Sequence, residues 1–318
     1  MRVLVVTNMY PSPERPELGS FVHDQVEALR ELPGIEVGLF AFRGGGPRAY
    51  ARAARALRRR HARNVFDAVH AHYGLSGWVA LGSASRGSRP LAVTFHGTDL
   101  AHPVVGRASR ALARLVDLPA TVSASLACSG GLPGAGLERR VAVLPCGVDL
   151  DRFAPQDRRA ARRRLGLDPE GRYLLFPAHP GRLEKRHDRA VAVARAAGAK
   201  LITYEGASPT IVPAYVNAAD AVLAPSEREG FGLAPLEALA CDVPVLATPV
   251  GIAPLALAGV EGALCAPFEL VRWADAARAH LAAHAGARIE GRARARLFDR
   301  RRMAERVACA LRQLATGA

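Results

Sequence analysis

Residues Ser226–Gly251 read SEREGFGLAPLEALACDVPVLATPVG. The order of residues is typical of a strand end, a glycine-containing loop, a helix and a second strand. Gly230 and Gly232 allow the backbone to turn tightly around Phe231, which directs backbone N–H groups toward a bound anion. Pro235 suits the first turn of the helix that follows. The segment therefore predicts an anion-binding loop at the start of a helix.

Two carboxylates bracket this loop: Glu229 precedes the glycines and Glu237 lies in the first helical turn, with the spacing Glu-x7-Glu. The spacing alone carries little information, because glutamates this far apart occur by chance in most proteins. One interpretation is that Glu229 is a simple loop carboxylate and that Glu237 complements the positive end of the helix dipole. The glycine, proline and apolar residues around the pair favour a ligand site instead.

The segments EGFGL, EALAC, VPVLAT and VG resemble the nucleotide-sugar site of the family 4 glycosyltransferases. The resemblance implies an α/β fold of the GT-B type, with two Rossmann-like domains whose parallel sheets face a central cleft. It implies an acceptor-side domain over residues 1–152 and a nucleotide-sugar-binding domain over residues 153–318, with the last helix packing back on the first domain. LPCGVDLDRF, residues 144–153, resembles the family's domain-linking segment.

The composition agrees with two globular domains. The chain has 318 residues, of which 50% are hydrophobic and 23% charged, enough for two α/β cores. Its five scattered cysteines form no Cys-x-x-Cys pair, which argues against structural zinc and suits a reducing compartment. The sequence shows neither a secretory signal nor an apolar run of membrane-spanning length. We therefore expect a cytoplasmic protein, with the inner face of the membrane as an alternative location.

The net charge of +14 predicts attraction to anionic surfaces. Much of it lies in a predicted helix at residues 48–63, where Arg52, Arg55 and Arg59 stand among alanines. One interpretation is a solvated surface helix. The other is a contact with anionic membrane, which would suit a lipid-linked acceptor. A nucleic acid partner is not expected, because the chain has no recognised nucleic-acid-binding motif and few clustered aromatic residues.

The N-terminal segment predicts a ligand-facing loop. Residues 2–7, RVLVVT, form a predicted buried strand, and a long loop then leads through Gly19 to a helix with Ser20 as its predicted N-cap. Ligands of open parallel sheets bind at the carboxyl ends of the strands. The opening residues resemble those of family 4 enzymes, which implies that Gly19 lies at the donor site.

Histidines follow two further predicted strands. His70 and His72 share one strand face, but no third metal ligand stands nearby in the sequence, so a metal site is disfavoured. His96 follows the strand at residues 91–95 in the motif FHGTD, and the family resemblance implies that it lies near the reacting sugar. The alternative is a structural imidazole bonded to backbone. Asp99 is a candidate cap for the following helix.

Positive charge is clustered after the predicted strand Tyr173–Pro177, in the segment AHPGRLEKRHDRA. The family resemblance implies that an arginine and a lysine of this loop hold the donor diphosphate. Lys185 matches the lysine. Arg182 lies nearer to Lys185 than the family pattern requires and His179 occupies the expected position, so the second position stays open between Arg182 and His179.

The resemblance assigns two sets of residues. The predicted catalytic residues are His96, Lys185 and Glu229. The predicted donor-binding residues are Gly19, Arg182, Lys185, Glu229, Phe231, Gly232, Leu233 and Glu237. Because fixed cations can replace a metal at a leaving diphosphate, we expect no metal and no cofactor beyond the nucleotide-sugar co-substrate.

The predicted reaction is a retaining transfer of a hexosyl group from a nucleotide-diphosphate sugar to a hydroxyl acceptor. The resemblance implies a place in the synthesis of cell-surface polysaccharide, glycolipid or secondary-metabolite glycosides. Two alternatives are a sugar-nucleotide epimerase of the same fold and a catalytically inactive nucleotide-sugar-binding relative. The chain lacks the extra strand and helix that help to hold the base in relatives, so the base is not predicted.

Overall fold

The chain, described by a computed structural model over residues 1–61, 66–83, 89–132, 141–204, 207–282 and 288–317, forms two compact units. The first comprises Met1–Gly147 and Arg300–Ala318, and the second comprises Val148–Asp299. Each unit has its own sheet, and all described strand pairs within the two sheets are parallel. The prediction of two α/β units with parallel sheets is therefore confirmed.

The first unit is built on a six-stranded sheet of order β2-β1-β3-β4-β5-β6. Its central strands have side chains buried on both faces, which explains why their sequences are almost continuously apolar. The strands are β1 Arg2–Thr7, β2 Glu36–Ala41, β3 Ala68–His72, β4 Leu91–Phe95, β5 Leu118–Thr121 and β6 Ala142–Val143.

Helices cover both faces of this sheet. The helices are α1 Ser20–Arg30, α2 Pro47–His61, α3 Gly74–Leu81, α4 Thr98–Ala101, α5 Pro103–Ala113, α6 Ala124–Ser129 and, from the C-terminal segment, α14 Arg300–Thr316. The terminal helix α14 joins this unit because Val307 and Leu311 share one buried core with Val26 and Leu29 of α1. The last two residues of the predicted basic helix, at 62 and 63, lie outside the described ranges.

The second unit has a five-stranded sheet of order β11-β10-β9-β7-β8. Its strands are β7 Tyr173–Phe176, β8 Lys200–Thr203, β9 Ala221–Ala224, β10 Val245–Ala247 and β11 Leu264–Cys265. Its helices are α7 Arg158–Arg164, α8 His187–Ala197, α9 Val212–Ala218, α10 Ala234–Ala240, α11 Ala253–Ala256, α12 Leu270–Ala282 and α13 Arg292–Ala295. The core contains Leu174, Phe176, Val193 and the fully buried Trp273. Because β7 lies beside β9, the loops that follow these two strands share one edge of the sheet.

A helix that spans a membrane needs about 20 consecutive, mostly apolar residues. None of the helices in the described ranges is both long enough and apolar enough to cross a bilayer.

Candidate active site

The glycine loop predicted from Ser226–Gly251 runs from β9 into α10. Gly232 and Gly251 both have left-handed backbones, with φ of 84° and 60°. A Cβ on Gly251 would lie 2.2 Å from the carbonyl oxygen of Phe231 and 2.8 Å from Cβ of Glu229, so only glycine fits there. The next N–H, from Ile252, donates to the same Phe231 oxygen at 2.7 Å. The Gly251 turn thus supports the loop that carries Glu229.

Lys185 and Glu229 meet in this unit. Lys185 ends a short 3₁₀ turn after β7, and its Nζ lies 2.6 and 2.7 Å from the two carboxylate oxygens of Glu229. The hydroxyl of Ser226 also donates to Glu229, at 2.8 Å. The two charged side chains are only 16% and 15% exposed, so the pair is a strong charge-assisted contact rather than a solvated one. Two residues predicted for the same site are therefore brought together.

The second diphosphate position has two candidates, and each contacts a neighbour in its own loop. Arg182 donates through Nε and Nη2 to Glu184 Oε1, at 2.9 and 2.7 Å, and its side chain is 49% exposed. His179 accepts from the N–H of Gly181 through Nδ1, at 2.9 Å. Because these contacts favour neither residue as a partner of Lys185, the choice between Arg182 and His179 stays open.

Arg186 belongs to the predicted basic cluster, but the sequence analysis gave it no role in the site. It has a left-handed backbone with φ of 58°, and its guanidinium binds Asp188 at 2.8 and 2.6 Å and also Glu227. These bonds, first to Asp188 and then to Glu227, raise the pKa of Arg186. Because Glu227 belongs to the β9 loop, Arg186 joins the β7 and β9 loops beside the Lys185 contact. Arg186 also lines an open groove of about 580 Å³ with Leu183 and His187.

The start of α10 presents the groups predicted to face the donor. Phe231 is buried and anchors the loop, and Gly232 follows it with a left-handed backbone. Leu233 occupies the N-cap position, and its carbonyl accepts from the N–H of Glu237 at 3.0 Å. Glu237 is half-buried in the first helical turn. The first N–H groups of a helix lack intrahelical acceptors, so this end of α10 is suited to an anion.

Tyr204 is a residue that the sequence prediction missed. It follows β8 and donates its hydroxyl to the carbonyl of Pro177, after β7, at 2.8 Å. Burial raises its pKa, and the charges of Glu237 and Glu229 raise it further. Tyr204 therefore lies close enough to both glutamates for their negative charges to raise its pKa. An aromatic residue at the carboxyl end of a strand is the signal that could have identified it.

The first unit contains the remaining two predicted residues, Gly19 and His96. Gly19 has φ of 70°, and a Cβ there would lie 2.3 Å from the carbonyl oxygen of Met9. The prediction that Ser20 is the N-cap was wrong: Ser20 is the first residue of α1, and Gly19 takes the N-cap position because the loop folds back too closely for a side chain. The ring of Phe21 packs against His96 at 5.0 Å between centroids. Gly19 and His96 thus lie at one end of α1.

Three histidines gather where β3 and β4 end. In the parallel register His72 pairs with Thr94, which places His70, His72, Thr94 and His96 on one face. His70 Nε2 lies 2.8 Å from the hydroxyl of Thr94, and His72 Nδ1 lies 3.1 Å from His96 Nε2. Among the residues whose placement is described, no three His, Cys, Asp or Glu side chains are positioned to hold one metal ion.

Burial keeps these imidazoles neutral. It lowers the pKa of His70 to about 4 and holds the pKa of His72 well below its ordinary value. Burial, followed by the nearby His70, lowers the pKa of His96 to about 3. At neutral pH each ring therefore carries one N–H donor and one acceptor nitrogen.

The prediction that Asp99 caps the following helix was wrong: Asp99 is the second residue of α4, and the N-cap position is Gly97, without a side-chain cap bond. The buried carboxylate of Asp99 accepts from the N–H groups of His96 and Gly97, both at 2.9 Å, and from that of Gly74 at 3.0 Å. Burial raises its pKa to about 6, while these backbone bonds act in the opposite direction. Asp99 thereby fixes the backbone of His96 and joins the turns after β3 and β4.

Comparisons with known proteins decide the family. A model of Glycosyltransferase Family 4 matches residues 1–152, and a model of Glycosyl transferases group 1 matches residues 180–283. The D-inositol 3-phosphate glycosyltransferase of Actinosynnema mirum is 33% identical, over 77% of this chain and 69% of that protein. The chain belongs to glycosyltransferase family 4. It is therefore an enzyme of the glycosyltransferase class.

Other members of family 4 differ in length from this chain. The D-inositol 3-phosphate glycosyltransferase of Mycobacterium tuberculosis is 33% identical over 68% of this chain, and the alignment covers 54% of that protein. The chain thus spans about half the length of this relative and about two thirds of the Actinosynnema protein.

Solved structures confirm the predicted GT-B fold of this glycosyltransferase. The sucrose-phosphate synthase of Thermosynechococcus elongatus has a TM-score of 0.78 at 19% identity, covering 100% of this chain and 99% of the other. Anabaena HepE, solved in complex with UDP-glucose, has a TM-score of 0.71 at 18% identity, covering 98% of this chain and 100% of the other. At these identities the likeness concerns the fold.

Proposed function

We propose that this glycosyltransferase moves a hexosyl group from a nucleotide-diphosphate donor to a hydroxyl acceptor and retains the anomeric configuration. The observation that carries the proposal is the Lys185–Glu229 contact, with Nζ 2.6 Å from the carboxylate, on the edge of the sheet where α10 begins. A held cation and the N-terminal N–H groups of a helix form a pair suited to a diphosphate.

The diphosphate gains negative charge as it leaves, and preorganised positive groups stabilise that charge. Lys185 and the N–H groups around Gly232 supply this stabilisation, with Arg182 or His179 as the second side chain. The fixed cations take the place of a metal. The leaving phosphate assists attack by the acceptor hydroxyl from the same face, and no protein nucleophile is required.

The carboxylates bind the neutral parts of the donor. Glu237 accepts hydrogen bonds from the ribose hydroxyls, and Glu229 accepts one from a sugar hydroxyl while it orients Lys185. His96 of the first unit bonds another sugar hydroxyl. The complexes of HepE with UDP and with UDP-glucose support a nucleotide-sugar donor for this chain, because HepE shares its fold.

Thermal unfolding with UDP, GDP, ADP and TDP tests donor binding. A nucleotide at a hundred times its dissociation constant adds about 2.7 kcal/mol to the free energy of unfolding. We expect one nucleotide to stabilise the wild type and to stabilise Glu237→Ala much less. If no nucleotide raises the melting temperature, the proposed donor site is wrong.

Product analysis separates the reaction from its alternatives. Incubation with sugars on the stabilising nucleotide, with and without simple glycoside acceptors, should give a new glycoside only when an acceptor is present. A new sugar nucleotide without acceptor would instead indicate an epimerase. Nucleotide binding with neither product would indicate an inactive relative. Proton NMR of the glycoside reports whether the anomeric configuration is retained.

We also propose that α2 binds an anionic membrane surface, which would bring the enzyme to a lipid-linked acceptor. Arg52, Arg55 and Arg59 are exposed, whereas Ala53 and Leu57 of the same helix are buried, so the arginines share the outer side. Sedimentation with vesicles should require anionic lipid and weaken with salt.

The matched variants for this membrane test remove equal charge from two places. Changing Arg52, Arg55 and Arg59 together to Gln should release the protein from anionic vesicles. The control changes three exposed arginines elsewhere, Arg159, Arg278 and Arg301. Equal loss of binding by both triple variants would show that only net charge matters and would contradict a specific role for α2.

A further inference from the structure

The contact between His72 and His96 constrains where each ring carries its proton. His72 Nδ1 and His96 Nε2 are 3.1 Å apart. Two neutral imidazoles make this hydrogen bond only if one nitrogen donates and the other accepts. The bond therefore couples the tautomers of the two rings: if His72 carries its proton on Nδ1, His96 carries its own on Nδ1 as well.

The surroundings of His72 distinguish the two arrangements. Its other nitrogen, Nε2, is buried and has no hydrogen-bond partner among the residues that the structure describes. If His96 donated to His72, that buried Nε2 would carry a proton with no acceptor. If His72 donates through Nδ1, its own Nε2 carries no proton. That Nε2 is then an acceptor that receives no hydrogen bond. Buried N–H groups without partners are rarer than under-satisfied acceptors, which favours donation from His72.

We propose that His72 is a positioning residue that fixes His96 as the Nδ1–H tautomer, so that His96 presents an N–H donor to its ligand. The proposal rests on the proposed function in one respect, namely that this ligand is an oxygen of a sugar substrate. In this arrangement His96 Nε2 is occupied as the acceptor of the His72 bond. His96 therefore acts as a hydrogen-bond donor to a sugar hydroxyl and not as a general base.

The other contacts of His96 hold the ring in place for this role. The backbone N–H of His96 donates to Asp99 at 2.9 Å. The ring of Phe21 packs against the His96 ring, with 5.0 Å between their centroids. His96 as a residue is half-buried, whereas His72 is only 1% exposed. In the proposal, the more deeply buried His72 sets the tautomer and the half-buried His96 meets the ligand.

His70 provides a matched control in the same cluster. It is fully buried like His72, and their rings lie 4.3 Å apart between centroids. Its Nε2 faces the hydroxyl of Thr94 at 2.8 Å, so its hydrogen bond does not involve His96. Replacing His70 by Phe disturbs the same packing without removing the donor to His96.

Nitrogen NMR of isotope-labelled histidine at neutral pH tests the tautomer directly, with the His96 signals assigned by their loss in His96→Gln. We expect the wild type to be protonated at Nδ1 of His96. His72→Phe should give a mixture of the two His96 tautomers. His72→Asn should restore the Nδ1–H form of His96, because the Asn side chain supplies an amide N–H donor. His70→Phe should leave the tautomer of His96 unchanged. Protonation of His96 at Nε2 in the wild type would overturn the proposal, even if none of the His70 and His72 variants folds.

Kinetics supply a second measurement. His72→Phe should lower kcat by about 10-fold, the effect of one ordinary hydrogen bond, and His72→Asn should recover most of it. Binding of the stabilising nucleotide should not change. Equal loss of kcat in His72→Phe and His70→Phe would overturn the positioning role. If His96 shows the expected tautomer but the protein transfers no sugar, only the proposed function is contradicted.

Discussion

Lys185 and Glu229 are separated by 44 residues in the sequence, and both carboxylate oxygens of Glu229 lie within 2.7 Å of Lys185 Nζ. The contact forms because β7 and β9 are neighbours in the sheet, so the loops after them meet. Ser226 adds a hydrogen bond to the same carboxylate. The lysine cation is thus held in position before any donor binds, which is how preorganised electrostatic stabilisation works.

Loss of Lys185 should impair turnover more than loss of Arg182. Lys185→Ala removes the positive charge proposed to stabilise the leaving diphosphate, so we expect kcat to fall by about 100-fold or more. Arg182→Ala is the comparison, because Arg182 is 49% exposed and bonds to Glu184. Its effect should be smaller. Steady-state kinetics with the identified donor measure both, and near-wild-type turnover of Lys185→Ala would remove Lys185 from the mechanism.

The same pair should couple energetically. A double-mutant cycle with Lys185→Met, Glu229→Gln and both together should give a coupling of about 1–3 kcal/mol in urea unfolding, because the side chains are mostly buried. The exposed pair Arg278–Asp275 serves as a control, for which we expect about 0.5 kcal/mol. Equal coupling in the two cycles would mean that solvent screens the Lys185 contact.

Nucleotide binding should depend on Glu237. Glu237→Ala removes the proposed acceptor for the ribose hydroxyls, and we expect binding to weaken by about 2 kcal/mol, the scale of a hydrogen bond to a charged group. Isothermal titration with the stabilising nucleotide measures this loss. The exposed Glu261 is the control, and Glu261→Ala should bind like the wild type. Unchanged affinity of Glu237→Ala would place the ribose elsewhere.

The Gly251 turn should be needed for both stability and binding. A Cβ at this position meets Phe231 and Glu229 at 2.2 and 2.8 Å, in addition to the strain of a φ of +60°. Gly251→Ala should therefore lower the free energy of unfolding by about 3 kcal/mol or more and abolish nucleotide stabilisation. Gly259 has a similar φ of +72°, and a Cβ built there would lie within 4 Å of no atom in the described part of the chain. Gly259→Ala therefore isolates the backbone strain, which we expect to cost about 1 kcal/mol. Similar results for both variants would contradict the steric explanation.

Stability should fall with acid in a way that depends on His70. In the unfolded chain His70 binds a proton near its ordinary pKa of 6.5, whereas burial lowers its pKa in the folded chain to about 4. The stabilisation from keeping it neutral is complete above pH 6.5 and is lost as the pH falls toward 4. The difference corresponds to about 3 kcal/mol.

Urea unfolding at several pH values between about 7.5 and 4.5 measures this effect. His70→Phe removes one titrating group, so its free energy of unfolding should fall less steeply with acid than that of the wild type, whatever its absolute stability. Parallel curves would show that His70 does not take up a proton on unfolding.

Local patterns were sufficient for much of this protein. Apolar runs bounded by glycine and proline predicted the parallel strands, because strands of such sheets are buried on both faces. The glycine loop with Glu229 and Glu237 indicated the family, since its turn, its helix start and its carboxylates all lie within one segment. These features depend on neighbours in the chain, and so a single sequence reveals them.

The pairing of distant side chains required the tertiary structure. Neither the contact of Arg186 with Glu227 nor that of His72 with His96 has a signature in the sequence, because each depends on which strands are adjacent and in which register. The N-cap position of Gly19 likewise depends on how closely the loop returns to Met9. Strand order and loop approach follow from packing of the whole core, which no local run of residues encodes.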